Sequence, residues 1–283
     1  MPLTPRETAE IEAANASGKR PVVFVHGLCL LPGSWDPWRT WFEEAGYATL
    51  APGWPGDPET VVDARARPEA LAGTKVGAVT DHHHEVIRGL AIAPALIGHS
   101  FGGLVVQQLA GRGVAEVTVS IDPAPGRGVL PLPVSALRSA FPVLGNPANA
   151  RRSVTLTREQ FHYGWTNALS AEESAALYDA LHVPAPGAPI FQAAFGNLNP
   201  RSETRVDYTA GDRGPLLVVS GGDDHTVPHA ISHAAYRKHL KNHATTEFAE
   251  VPGRGHSLVI DGGWRDVADI ALAFIRRFAL PGE

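Results

Sequence analysis

The chain has 283 residues, 44% of them hydrophobic and 19% charged, with a formal net charge of -5. That is too apolar for a disordered chain and allows a substantial core, and no long block of one charge offers nucleic acid or an anionic membrane a grip. Cys29 is the single cysteine, so no intrachain disulfide can form. With no apolar secretory leader and no apolar run near the ~20 residues that span a bilayer, a cytoplasmic setting is expected.

Residues 4–20 are polar and alanine-rich and predict a short helix or arm with no evident chemistry. Pro21, Val22, Val23, Phe24 and Val25 form a continuous apolar run, the pattern of a strand covered on both faces, which ends in His26, Gly27, Leu28 and Cys29. Ser34 is placed to cap a helix to about residue 45, with Trp38, Trp41 and Phe42 toward the sheet. Residues 47–51 predict the next strand and 52–57 its turn. The segment 59–73, broken by proline and glycine, has no clear period. A helix is predicted over 76–90, carrying His82, His83 and His84. Consecutive helical positions point in different directions, so three adjacent histidines cannot converge on one ion and read as solvated surface.

Within 94–110 the period changes. An apolar run ends in Gly98, His99, Ser100, Phe101 and Gly102, and helical spacing follows with Leu104, Val105, Gln108 and Leu109. This predicts a strand, a tight turn and a helix. A serine at such an apex needs small neighbours, because the backbone is strained and strand and helix pass closely; Gly98, Gly102 and Gly103 supply the room. The turn sets Ser100 at the amino end of a helix, where unpaired amides favour developing negative charge.

Residues 114–121 form another β-branched run, ending at Asp122 and Pro123. From 123 to about 207 strand patterns stop and short helices are predicted at 134–141, 157–169, 170–181 and 189–197, with Ser170 and Glu173 at capping-box spacing. Alternation then resumes with a strand at 215–220, a helix at 228–240, a strand at 245–251 and a helix at 263–278. His229 and His233 share a helix face but lack a third ligand, so no metal site is expected. The alternation predicts an α/β fold with a mostly parallel sheet flanked by helices. On this division 1–122 and 208–283 form the core, and 123–207 is an inserted helical lid. In such a sheet the working loops lie at the carboxyl ends of the strands.

Those loops hold His26 with Gly27, then Ser100, then Asp223 and Asp224, then His256. With nucleophile, acid and histidine in that order, and motifs spread from Val22 to Ser257, the chain resembles the α/β-hydrolase family. The resemblance implies Ser100 as nucleophile, His256 as base and Asp224 as acid, the last from the spacing Gly221, Asp224, Val227, Pro228. Asp223 is its immediate neighbour and Asp122 follows the strand after the nucleophile helix, where some relatives place the acid; both stay open. The oxyanion donors it implies are the amides of Leu28 and Phe101, with His26 bracing their loop. It requires neither cofactor nor metal.

Many relatives begin with two further strands, so a sheet of six is expected here. The expected substrate is a small hydrophobic ester or lactone, with no nucleic-acid partner. Carbon-carbon bond hydrolysis, perhydrolysis or a non-catalytic sensor would use the same residues. Phe141, Phe161, Tyr163, Trp165, Phe191 and Phe195 give the insertion more aromatic surface than a connector needs, some of it for its own core and some for substrate.

Overall fold

The computed structural model describes residues 2–282. Eleven α-helices and eight strands alternate along them: α1 (Pro5–Ser17), β1 (Pro21–Val25), α2 (Asp36–Glu44), β2 (Ala48–Leu50), α3 (Val61–Ala66), α4 (Val76–Arg88), β3 (Ala95–His99), α5 (Phe101–Ala110) and β4 (Val117–Ile121) come first. Then come α6 (Val134–Leu144), β5 (Ser153–Val154), α7 (Arg158–Gly164), α8 (Ala171–Leu181), β6 (Ala185–Pro186), α9 (Ala188–Phe195), β7 (Leu216–Gly221), α10 (His229–His239), β8 (Thr246–Val251) and α11 (Trp264–Arg276). No helix among them is long and apolar enough to cross a membrane.

Six strands form one parallel sheet in the order β2-β1-β3-β4-β7-β8. Every residue of β1, β3, β4 and β7 is buried, which their unbroken apolar runs require, since both faces must be covered. Alternate residues serve opposite faces. Val23, Val25 and Leu96 pack with α4 and α5, while Val22, Phe24 and Ile97 pack with Trp38 and Phe42 of α2 and Val267, Ala271 and Ile275 of α11. At the edge, β8 is only half-buried and carries Glu247 and Glu250, charges that discourage pairing with another sheet. The chain leaves β1 in one direction for β2 and returns in the other for β3. Strand order therefore reverses between β1 and β3, and the loops that begin at His26 and Ser100 flank the crevice where such sheets bind ligands.

Local chemistry moved several boundaries. Pro32–Trp35 is a 3-10 turn, so α2 starts at Asp36 and Ser34 is buried rather than capping; Trp41 is half-exposed, with Arg265 over its ring. The helix expected over 157–169 stops at Gly164, because the carbonyls of Gly164 and Trp165 accept hydrogen bonds from Thr226 and Ser257. Between β4 and β7 the chain is mostly helical, but it also contains the short antiparallel pair β5-β6, a strand pair that the sequence did not announce.

His82 and His83 are not solvated surface. The amino-terminal helix α1 lies over α4, and its Glu7 sits 2.8 Å from His82 Nε2 with both residues buried. Burial alone would raise the Glu7 carboxyl, but His82 and the Thr4 amide and hydroxyl outweigh it and hold the group at about 2. His83 donates from Nδ1 to the Val79 carbonyl, and burial pushes it down to about 3, so it sits in the core uncharged. Only His84 is partly open to solvent.

Candidate active site

Ser100 lies between β3 and α5 with φ 57° and ψ -121°, in the region disfavoured for any residue with a Cβ. The fold holds it there: its N–H donates to Ile121 on the neighbouring strand, and its carbonyl accepts from Leu104 and Ala124. The crossing of strand and helix tolerates no side chain, since a Cβ at Gly98 would collide with the Gly102 carbonyl and one at Gly102 with the Val25 carbonyl.

The Ser100 hydroxyl is 3.0 Å from His256 Nε2, and His256 Nδ1 is 2.6 Å from Asp224 Oδ2. Asp224 keeps its other oxygen on the amides of Thr226 (2.6 Å) and Val227 (2.9 Å), so both carboxylate oxygens are fixed. All three residues are buried, where ionic hydrogen bonds gain strength from the low dielectric. With Nδ1–H donated to Asp224, the free lone pair of the imidazole faces the serine hydroxyl. The His256 ring is wedged between Trp165, 4.7 Å away and edge-on, and His99 at 4.6 Å.

The other carboxylates are differently placed. Asp223 is exposed and engaged through its backbone, with Arg254 and Asn167. Asp122 is fully buried at φ 39°, and its Oδ1 accepts the Gly221 amide at 2.8 Å. Burial and the neighbouring Asp224 raise its carboxyl well above the ordinary range, which favours its neutral form. Oxygen and nitrogen atoms of Asp122, His99 and His256 lie within 4.8 Å of one another, a set with metal-ligand types. Both His256 nitrogens are already engaged, however, and burial drives His99 and Asp122 toward their neutral forms, so the donors do not suit a cation.

The loop after β1 runs against the serine: a Cβ at Gly27 would lie 2.7 Å from Ser100 Cβ. Leu28 follows, and its amide makes no hydrogen bond among the described residues. Phe101 opens α5, where a first-turn N–H has no acceptor within the helix. His26 fastens this loop, with Nδ1 2.9 Å from the Gly27 carbonyl and Nε2 2.9 Å from Asp57; Trp54 stacks on its ring and donates to its carbonyl. Asp57 and Trp54 escaped the sequence reading because nothing in a proline-rich turn marks a partner 31 residues away.

Ser100 and His256 open into a cavity of about 400 Å³ with no charged side chain in its lining. Leu28, Cys29 and Phe101 form its floor, and the segment between β4 and β7 contributes most of the walls, among them Val129, Leu137 and Ile190. Burial pushes the Cys29 thiol up to about 12, so it stays neutral. Of the six aromatic residues singled out above in that segment, Phe161 and Trp165 stack within the core, Phe195 reaches the cavity wall and Phe141 is exposed. Phe191 stacks on Phe195, and Tyr163 is covered by Arg138. A larger, more polar depression of about 700 Å³ beside Lys75 and α4 holds no serine or cysteine.

A model of the alpha/beta hydrolase family matches residues 22–270. Among solved structures the chain is similar to a monoacylglycerol lipase from Paleococcus ferrophilus, 20% identical, with 92% of this chain and 98% of that one covered and a TM-score of 0.62. An extracellular alpha/beta-hydrolase from a Paenibacillus species is 19% identical over 90% of this chain and 98% of that one, with TM-score 0.66. For a thermophilic esterase from Thermogutta terrifontis the identity is 18%, the coverage 92% and 90%, and the TM-score 0.63. At these identities the likeness is one of fold. No curated protein matches.

Proposed function

The chain belongs to the alpha/beta hydrolase family, and on that premise we propose that it is a serine hydrolase cleaving a carboxylic ester or lactone of a small hydrophobic molecule. Ser100 Oγ attacks the carbonyl carbon while its proton passes to His256 Nε2. Asp224 keeps Nδ1 protonated and stabilises the imidazolium. The amides of Leu28 and Phe101 receive the oxyanion, each such donor being worth about 3 kcal/mol of barrier. Collapse expels the alcohol, which takes the proton from His256. Water, deprotonated by the same imidazole, then attacks the acyl group, and its proton returns to Ser100 as the acid leaves. The chemistry uses no cofactor.

The observation that carries this reading is the hydrogen-bonded line from Asp224 through His256 to Ser100, ending in a cavity without a charged side chain. Such a pocket suits an uncharged acyl group, because a substrate carboxylate or ammonium would be desolvated without a partner. Residues 123–207 act in this scheme as a lid over a core formed by 1–122 and 208–283, excluding water from the acyl-enzyme. Two experiments test it. A fluorophosphonate probe followed by peptide mass spectrometry should find the adduct on Ser100; folded protein that stays unlabelled refutes the nucleophile. A product screen against p-nitrophenyl esters, lactones and a β-diketone should give turnover on esters or lactones, whereas turnover confined to the diketone identifies carbon-carbon cleavage.

A further inference from the structure

The large exposed apolar side chains are not scattered. Seven of the ten among the described residues, Leu130, Leu132, Val134, Leu137, Phe141, Phe195 and Leu198, belong to two stretches, the approach to and length of α6 and the end of α9. Leu130, Leu132, Leu137 and Phe195 also line the cavity that holds Ser100, so this apolar surface is the rim of its mouth. Monomeric proteins seldom leave so much contiguous apolar surface in water without a use for it.

Charge around the rim is equally one-sided. Residues 123–157 and 183–202 contain Arg127, Arg138, Arg151, Arg152 and Arg201 and not one carboxylate, although the chain as a whole is acidic. Arg138 sits beside Leu137 on α6; Arg127 donates to the Asn199 carbonyl next to Leu198; Arg151 and Arg152 are exposed at the end of a 3-10 turn packed against α6 and α9. The composition showed no basic block because these arginines are spaced along the chain and gather only when it folds.

We infer that this rim seats the protein on an anionic lipid surface with the cavity mouth facing the lipid. Apolar side chains enter the interface and the arginines meet the head groups, the arrangement that peripheral attachment requires. A second copy of the chain fits poorly, since a two-fold contact would set the same arginines against one another. A protein partner on the rim would also cover the entrance. If the hydrolase reading holds, on which this part of the inference rests, the substrate reaches Ser100 from the lipid phase without crossing water.

The test is sedimentation of the full-length protein with vesicles of phosphatidylcholine, with and without phosphatidylglycerol. Binding should be at least tenfold tighter with the anionic lipid and should weaken as salt screens the arginines. Phe141 and Leu198 are 68% and 82% exposed and do not line the cavity. Together, Phe141→Asp and Leu198→Asp should cut vesicle binding at least tenfold, and Arg151→Glu should cut it roughly fivefold on anionic vesicles alone. Each variant should hydrolyse a short water-soluble ester at the wild-type rate, which also certifies its fold. Absent binding, equal binding to both vesicle types, or binding indifferent to these substitutions overturns the inference. So does a dimer by light scattering that Phe141→Asp dissociates, which would assign the rim to a second copy. Vesicle binding without turnover of any ester leaves the docking surface standing and refutes the hydrolase reading instead.

Discussion

The six-stranded core and the segment between β4 and β7 treat their apolar residues in opposite ways. In the core, β1, β3, β4 and β7 are buried at every position, and the loops that leave them are pinned by backbone hydrogen bonds such as Ser100 N–H to Ile121 and Asp122 N–H to Val219. The inserted segment instead spends only part of its apolar surface on itself: Phe161 is fully buried, while Leu132, Phe141 and Leu198 face outward. Packing to crystal-like density fixes reacting atoms to fractions of an ångström, whereas unspent apolar surface is free to grip something that arrives. The core is thus suited to chemistry and the insertion to recognition.

That division can be broken most severely at the nucleophile. Ser100→Ala should lower ester turnover by about 10⁶-fold while leaving the thermal melt nearly unchanged; residual activity near wild type would move catalysis elsewhere. Next, Asp224→Asn should cost about 10⁴-fold in kcat, since it leaves His256 in the wrong tautomer. Asp122→Asn should cost less than about tenfold, because Asp122 does not touch His256 as Asp224 does, burial already favours its neutral form, and its Oδ1 role toward Gly221 survives. The opposite ranking would make Asp122 the acid.

Stability should divide the same way. Gly102→Ala places a Cβ against the Val25 carbonyl and should destabilise the protein by about 3 kcal/mol or more, seen as a lowered melting temperature. Acid should act on both regions through buried neutral histidines. Burial holds His83 and His239 at about 3 in the core; burial, aided by Arg65, holds His182 at about 4 in the insertion. Because the folded values lie below the unfolded one near 6.5, their contribution is complete above pH 6.5. It is lost as pH falls toward 4, at about 1.4 kcal/mol per pH unit for each histidine. Melting temperatures across that range check the sign. The smallest effect belongs to the rim: Leu137→Ala should raise KM for a long-chain ester about threefold with kcat unchanged, losing roughly one partly buried side chain's transfer energy.

Much of the core was legible because continuous apolar runs ending in glycine-rich turns leave few other folds open. The edge strand β2 and the turn at Ser100 announce themselves in this way. Asp223 and Asp224 could not be separated in sequence, because neighbours on a chain point apart and only the path of the β7 loop decides which one meets His256. Glu7 and His82 illustrate the larger difficulty. They lie 75 residues apart, each reads as surface in its own helix, and only docking of α1 on α4 makes them a buried pair. The insertion was least legible, since its short helices are set by partners outside it, as when Gly164 and Trp165 surrender their carbonyls to Thr226 and Ser257.

That last contact limits how the protein can be redesigned. The Trp165 carbonyl holds the N–H of Ser257, the residue after His256, at 2.9 Å, and the Trp165 indole lies against the imidazole itself. A chimera that exchanges the whole insertion for a foreign one would remove this splint and release the proton shuttle. Grafts that retain residues 161–167 and replace the stretches on either side are the ones that can alter substrate choice while keeping turnover.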